Sequence, residues 1–326
     1  MTKKGISIII CCYNSESRLP KTLEYLAKQV IRKDIPVELI IVNNASTDRT
    51  KEIALNEWGQ YQTNFLFHIF DEETPGQMYA RKRGVQQSQY EYVLFCDDDN
   101  RLQSDYLQTA FDLMESNVRT GALGGQGIAV SDAGFPEWFS DFETAYATGK
   151  QSNESGDISK RGYLWGAGMI ARRDLLTMVF DSNYPLLIEG RTGGKLISGD
   201  DSEICKRILL LGYTLHYDSS LLFYHYLPAN RLTWAYKKKF FEDFEITYGI
   251  LDKYDFILLE INKNFFGKMK GILHHILKLL KPGSSKVKSK AELYAKTGLA
   301  LKNSKISKDL EYKSILRFVL EHHELS

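Results

Sequence analysis

Short apolar runs alternate with longer stretches of mixed polarity through the first hundred residues. Ile6–Cys12 (ISIIICC), Val37–Asn43 (VELIIVN), Phe65–Phe70 (FLFHIF) and Tyr92–Cys96 (YVLFC) are rich in β-branched and aromatic side chains and read as strands. Between the first two, Leu19, Leu23, Leu26 and Val30 recur at helical spacing, with Pro20 tolerated in a first turn. Between the second and third, STDRTKEIALNEW opens with Ser and Asp as cap candidates and places Ile53 near Trp58. Strand, helix, strand, helix at these lengths predicts right-handed βαβ units and a mostly parallel sheet. Ligands of such sheets bind beyond the carboxyl ends of the strands.

Further along, a helix is predicted near Ser104 to Ser116, followed by a glycine-spotted strand, GALGGQGIAV, where a ligand or another backbone can approach closely. Residues 131–162 are irregular and polar, as in a long insertion or lid. GYLWGAGMIARRDLL gives a strand and a helix start. The flexible loop EGRTGGKLISG leads into the helix DDSEICKRILLLG, closed by Gly212. YTLHYDSSLLFYHYLP reads as a final strand pair ending at His225, and from Arg231 onward the pattern is helical to the end. There is no internal repeat.

Composition narrows the function classes. With 42 basic and 41 acidic side chains the formal net charge is +1, which argues against a protein that coats nucleic acid. The four cysteines, Cys11, Cys12, Cys96 and Cys205, form no C-x-x-C pair; buried thiols in a reducing compartment are the plain expectation. The opening MTKKGISIIICCYN has an apolar run of only about seven residues and no small-residue cleavage site, so it reads as a first strand rather than a signal peptide. No apolar stretch reaches the ~18 residues of a membrane span. The expectation is a cytoplasmic protein able to touch the inner face of the cell membrane.

The charged positions carry the chemistry. YVLFCDDDN runs a predicted buried strand into three aspartates, whose mutual repulsion calls for partners. If strand geometry persists, Asp97 and Asp99 point to one side and offer oxygen ligands for Mg²⁺ or Mn²⁺; the alternative is a strand-end turn that caps the next helix. In SGDDSEICKR, Ser198 and Asp201 match a capping box, while a carboxylate at a helix start beside a cation would also serve as a general base. Arg81 in PGQMYARKRG is either a diphosphate ligand, with Gly76 allowing close approach, or a solvated helix charge. His225 is either structural or a ligand. Trp165 is either an apolar wall for a sugar face or core.

Taken in order, SIIICCYNSESRLPKTLEYL, ELIIVNNASTDRT, GQMYARKRG, YVLFCDDDN, GDDSEICKRILLLGY and HYLPANRLT resemble family 2 glycosyltransferases of the A-type, nucleotide-diphospho-sugar fold, over about residues 5–235. The resemblance implies a GT-A-type, Rossmann-like α/β sheet flanked by helices. It implies a catalytic domain over 1–230, with its acceptor side at about 131–230, and a helical basic extension over 231–326. It places Tyr13 and Asn14 at the nucleobase, and Asn43 where the family usually has an aspartate that reads a uracil edge. Arg81 matches the diphosphate-side arginine. Asp97 to Asp99 match the D-x-D metal and ribose motif: Asp99 is the first metal ligand, Asp97 is shared between metal and ribose, and Asp98 lies on the substrate side. Asp201 matches the catalytic aspartate, Asp200 stands where a Glu is more usual, and His225 aligns with a histidine that completes the metal shell in some members.

The implied reaction is metal-dependent (Mn²⁺ or Mg²⁺) inverting transfer from a nucleotide-diphospho-sugar, with UDP the expected nucleotide, to a saccharide or lipid-linked saccharide. From Lys263 onward there are fourteen basic and five acidic residues, and FFGKMKGILHHILKLLKPGSSKVKSK mixes an apolar face with lysines. It suits either contact with an anionic membrane surface or packing on the catalytic domain. Two other readings compete. A sugar-nucleotide nucleotidyltransferase would want a glycine-rich basic loop after the first strand, which CCYNSESRLP lacks. A non-catalytic nucleotide-binding relative would have no use for Asp97, Asp99 and Asp201.

Overall fold

The computed structural model describes residues 3–192, 196–261 and 309–322. Four parallel strands, β1 (Lys3–Cys12), β2 (Val37–Asn44), β3 (Leu66–Glu72) and β4 (Tyr90–Phe95), form one half of the sheet in the order β3-β2-β1-β4. Ile8 sits beside Leu39 on one flank and Leu94 on the other, so the centre of β1 is covered by apolar neighbours on both sides. The helices α1 (Leu19–Ala27), α2 (Thr50–Trp58) and α3 (Gln77–Gln87) make the crossovers. α3 lies close on the sheet because Gly84 has no side chain: a Cβ there would come within 2.5 Å of Ile9 Cγ2. Val30, placed by spacing on the first helix, falls outside it and is exposed, since α1 ends at Ala27.

The second half is antiparallel at its seam. After β5 (Asn100–Leu102), α4 (Tyr106–Ser116) and β6 (Thr120–Val130), the chain passes through two short 3₁₀ turns and β7 (Gly156–Asp157). β8 (Ile170–Arg172) then inserts between β4 and β6, antiparallel to both. The helices α5 (Arg173–Val179) and α6 (Asp200–Leu210) precede β9 (Thr214–Tyr226), which runs parallel to β6. The predicted final strand pair is thus one continuous strand. Its register slips opposite Gly124 and Gln126, which accommodates the polar DSS interruption. Among the described residues the sheet has nine strands, with β7 pairing on β9.

The described part of the C-terminal region, α7 (Trp234–Ile261) and α8 (Leu310–His322), packs into the same core as the sheet. Tyr254, Ile257, Ile315 and Phe318 join the cluster that contains Ile9, Val93 and Ile204. A polar knot ties α7 to α6. Glu203 and Arg207 are fully buried, and both bond the Tyr254 hydroxyl, at 2.6 and 3.0 Å. The lysine-rich stretch within 265–290, expected to contact a membrane, lies outside the described residues. Among the described residues no helix is long and apolar enough to cross a membrane.

One feature of the strand order positions the site. From β1 the chain crosses toward β2, while β4 lies on the other flank of β1. The loops leaving β1 and β4 therefore part, and a crevice opens beyond their carboxyl ends, as at the switch point of other open α/β sheets.

Candidate active site

A cavity of about 550 Å³ occupies that crevice, with Tyr13 and Arg18 on the β1 side and Asp97, Asp98 and Asp99 on the β4 side. Trp165, Asp200, Asp201, His225 and Arg231 close it from the second half of the fold. The geometry brings together acids separated by a hundred residues in sequence.

The aspartate triplet does not continue strand β4. The Asp97 N–H donates to Asn100 Oδ1 (3.1 Å) and the Asn100 N–H returns to the Asp97 carbonyl (3.0 Å), which closes a turn. The simple alternation expected of Asp97 and Asp99 is thereby replaced by three separate environments. Asp98 accepts from Ser15 Oγ and from Arg18 Nη2, the latter at 2.5 Å. Burial and the adjacent Asp99 push its carboxyl upward, while Arg18 and Ser15 oppose the shift. Asp99 takes Arg231 Nη1 at 2.9 Å on one oxygen and His225 Nε2 at 3.4 Å on the other. Burial works against the Asp99 charge, but His225 and Arg231 outweigh it and hold the carboxyl well below the usual range. Among the described residues the Asp97 carboxylate accepts no hydrogen bond and makes no ion pair, and it faces the cavity.

This donor set bears on a divalent cation. Among the described residues no three His, Cys, Asp or Glu side chains stand close enough to hold an ion by themselves. Two carboxylates on one cavity wall nonetheless suit a Mg²⁺-type site, which ordinarily takes one or two carboxylates and completes its shell with substrate phosphate and water. His225 turns Nε2 toward Asp99, and its buried Nδ1 has no hydrogen-bond partner.

Opposite the triplet, α6 is preceded by Gly199, whose φ of 103° lies in the glycine-favouring region. Ser198 does not cap the helix: its hydroxyl is buried without a partner, so the predicted capping box is absent. Asp201 points away from the helix axis instead. One oxygen accepts the Ser202 N–H and the other the Gly166 N–H, both at 2.8 Å. Burial and the neighbouring Asp200 push its carboxyl up to about 6, against Arg81 and the two N–H groups. Asp200 pairs with Arg81 at 2.7 Å, and both side chains are buried. Arg81 is therefore not a solvated helix charge: it lines the cavity while paired with Asp200.

At the end of the cavity beside β1 and β2, Tyr13 lines the wall and is half exposed. Asn14 does not: held at φ 49°, it accepts the Thr47 N–H at 2.8 Å and joins the loops after β1 and β2. Asn43 is likewise directed elsewhere, donating to Asp71 on β3 at 3.0 Å. Its neighbour Asn44 lines the wall, because successive strand residues face opposite sides. Asn44 holds the following loop by accepting from the Gly76 N–H (2.8 Å) and donating to the Thr74 carbonyl (2.6 Å). Trp165 is both wall and core, lining the cavity while buried, with Arg161 over its ring at 5.4 Å.

Arg18, Asn44 and Arg231 are the site residues that sequence reasoning missed. Arg18 and Arg231 stand within stretches that carry the family resemblance, yet only folding shows that each ends on one aspartate of the triplet.

The fold is the A-type arrangement seen in Staphylococcus aureus TarS. The crystal structure of TarS 1-349 in complex with UDP-GlcNAc superposes with a TM-score of 0.54 at 18% identity, over 98% of this chain and 89% of that one. The sequence profile of glycosyl transferase family 2 matches residues 7–179, more than half of the chain, and the protein belongs to that family. Among curated relatives, glycosyltransferase AglE of Haloferax volcanii is 29% identical over 245 residues, covering 72% of this chain and 70% of that protein. The glucosyl-dolichyl phosphate glucuronosyltransferase of the same organism is 26% identical over 211 residues, covering 62% of this chain and 63% of its own length. The chain is a glycosyltransferase.

Proposed function

We propose that this glycosyltransferase is metal-dependent and inverting, and that it moves a sugar from a UDP-sugar to a hydroxyl of a saccharide or lipid-linked saccharide. The observation that carries the reading is one cavity holding the aspartate triplet on one wall and a partly buried, backbone-held Asp201 on the other. The UDP-GlcNAc complex of TarS and the dolichyl-phosphate-linked substrate named for the second Haloferax relative support the donor and acceptor classes.

Asp201 accepts the proton of the acceptor hydroxyl as its oxygen bonds to the anomeric carbon. The bond from that carbon to the diphosphate oxygen breaks on the opposite face, and its electron pair leaves with the nucleoside diphosphate. An α-linked donor thus gives a β-linked product, through an oxocarbenium-like transition state. The two N–H donors to Asp201 fix its orientation, and Trp165 limits water on the sugar side. Asp97 and Asp99, with His225 beside them, would hold Mn²⁺ or Mg²⁺, which when bound offsets charge on the leaving diphosphate. Arg18 and Arg231 add fixed positive charge at the same wall. The basic segment after Lys263 is the proposed membrane contact, on the inner face of the cell membrane, and its removal should abolish liposome binding.

A thermal-shift series with UDP-sugars, each with and without Mn²⁺, tests the core of the reading. At least one should raise the melting temperature only when the metal is present. Flat responses across the series would count decisively against it.

A further inference from the structure

Arg81 is 119 positions away from Asp200 in sequence yet is bonded to it in the interior, with 4% and 7% of the two side chains exposed. Its guanidinium lies over the Phe95 ring at 5.2 Å. Gly166 favours this packing: a Cβ at that position would come within 2.4 Å of Arg81 Nη2 and push the guanidinium aside. The same Gly166 donates its N–H to Asp201. Gly190, at φ 71°, covers the other side of Asp200, where a Cβ would come within 3.2 Å of the carboxyl carbon. Arg81 and Gly190 thus flank Asp200, while Gly166 packs on Arg81 and holds Asp201.

Arg81 lines the cavity while paired with Asp200. We propose that it is a positioning residue that acts on acceptor deprotonation through Asp200 and Gly166, rather than a clamp on the diphosphate. The inference rests on the reading of Asp201 as the base. Swinging Arg81 onto a diphosphate would strand Asp200 as an unpaired buried charge directly beside Asp201, which is strongly unfavourable. Left in place, Arg81 fixes the wall against which the Gly166 N–H is presented. It also offsets the like-charge pressure of Asp200 on Asp201. The groups facing this unit are Cys11 from β1, Asp97 from the turn after β4, and Asp200, Asp201 and Cys205 from α6.

The test is a double-mutant cycle of Arg81→Gln and Asp200→Asn on the full chain, with Arg81→Lys alongside. UDP affinity is read by calorimetry, turnover across pH by product formation, and folding by thermal melts. Arg81→Gln should lower kcat at least tenfold and move the acid limb of kcat upward by about one pH unit, because Asp201 loses its compensating cation. UDP affinity should stay within twofold. Adding Asp200→Asn removes the stranded charge and should restore most of the kcat, the limb position and the melting temperature. Arg81→Lys should fall between wild type and Arg81→Gln.

If Arg81→Gln weakens UDP binding tenfold or more with the limb unmoved, Arg81 is a donor ligand and the proposal fails. It fails equally if Asp200→Asn restores nothing to a folded Arg81→Gln protein. Near-normal turnover of Asp201→Asn is a different outcome, and it would remove the base assignment itself.

Discussion

Arg231 reaches Asp99 from beyond the end of β9 and donates to its Oδ2 at 2.9 Å, while His225 occupies the other carboxylate oxygen. The first metal ligand expected from the sequence is therefore already charge-compensated by the chain itself. Arg18 does the same for Asp98, and Asp97 alone keeps an unpaired carboxylate among the described residues. A cation entering this wall has to share Asp99 with Arg231, whereas an incoming diphosphate gives the guanidinium a second anion to bind. Metal and donor should thus favour one another.

Arg231→Gln separates these terms. Two unit charges about 5 Å apart at an effective dielectric of ~20 interact by about 3 kcal/mol, so losing the guanidinium should strengthen Mn²⁺ binding to the free protein at least about tenfold. Titration followed by electron paramagnetic resonance reads this directly, without turnover. UDP affinity in the presence of Mn²⁺ should fall in the same variant. Unchanged Mn²⁺ affinity would show that Arg231 and the cation do not compete for Asp99.

Asp201 gives a prediction with a sign on both stability and rate. Its carboxyl is raised to about 6 by burial and by Asp200, so between about pH 4 and 6 the folded protein keeps a proton that the unfolded chain has released. Stability contributed by this group is therefore lost as pH rises through that window, and the ionised form proposed as the base appears over the same range. kcat should climb to a plateau above about pH 6. Asp201→Asn should lower kcat by about 10²–10⁴-fold and leave UDP affinity within twofold, while raising the melting temperature at pH 8, where wild type must bury the charge. A variant that loses activity and melting temperature together would point to a structural role.

The sequence made the first half of this architecture legible because β-branched runs and helical spacing agree there: Ile6–Cys12 and Val37–Asn43 register as paired strands, Cys12 opposite Asn43. Agreement failed where a side chain is claimed by a tertiary partner. Asn43 and Asn44 are identical in type, and only the direction of the pleat decides which one bonds Asp71 on β3 and which lines the cavity. Ser198 fits a cap in spacing, but Gly199 turns the chain with a positive φ and leaves the hydroxyl out of reach. The pairing of Arg81 with Asp200 was not legible because Asp200, Gly166 and Phe95, which pack on it, come from three distant segments.

The knot beneath α6 supplies the last prediction. Arg207 donates to the carbonyls of Val179 (3.0 Å), Tyr184 (2.5 Å) and Pro185 (2.7 Å), and Glu203 accepts the N–H groups of Leu187 and Ile188 at 2.8 Å. These bonds fix the segment after α5 against the helix whose first turn carries Asp200 and Asp201. Both side chains are fully buried, so Arg207→Met leaves Glu203 charged without its cation and three carbonyls without donors. Urea unfolding should show a loss of about 3–5 kcal/mol. Glu203→Gln/Arg207→Met removes both charges and should recover a good part of that loss. Because the knot holds α6 rather than the wall that carries the aspartate triplet, the folded fraction of Arg207→Met should lose kcat while its KM for the donor changes little. A matching rise in donor KM would instead mean that the knot supports the whole cavity and not the base alone.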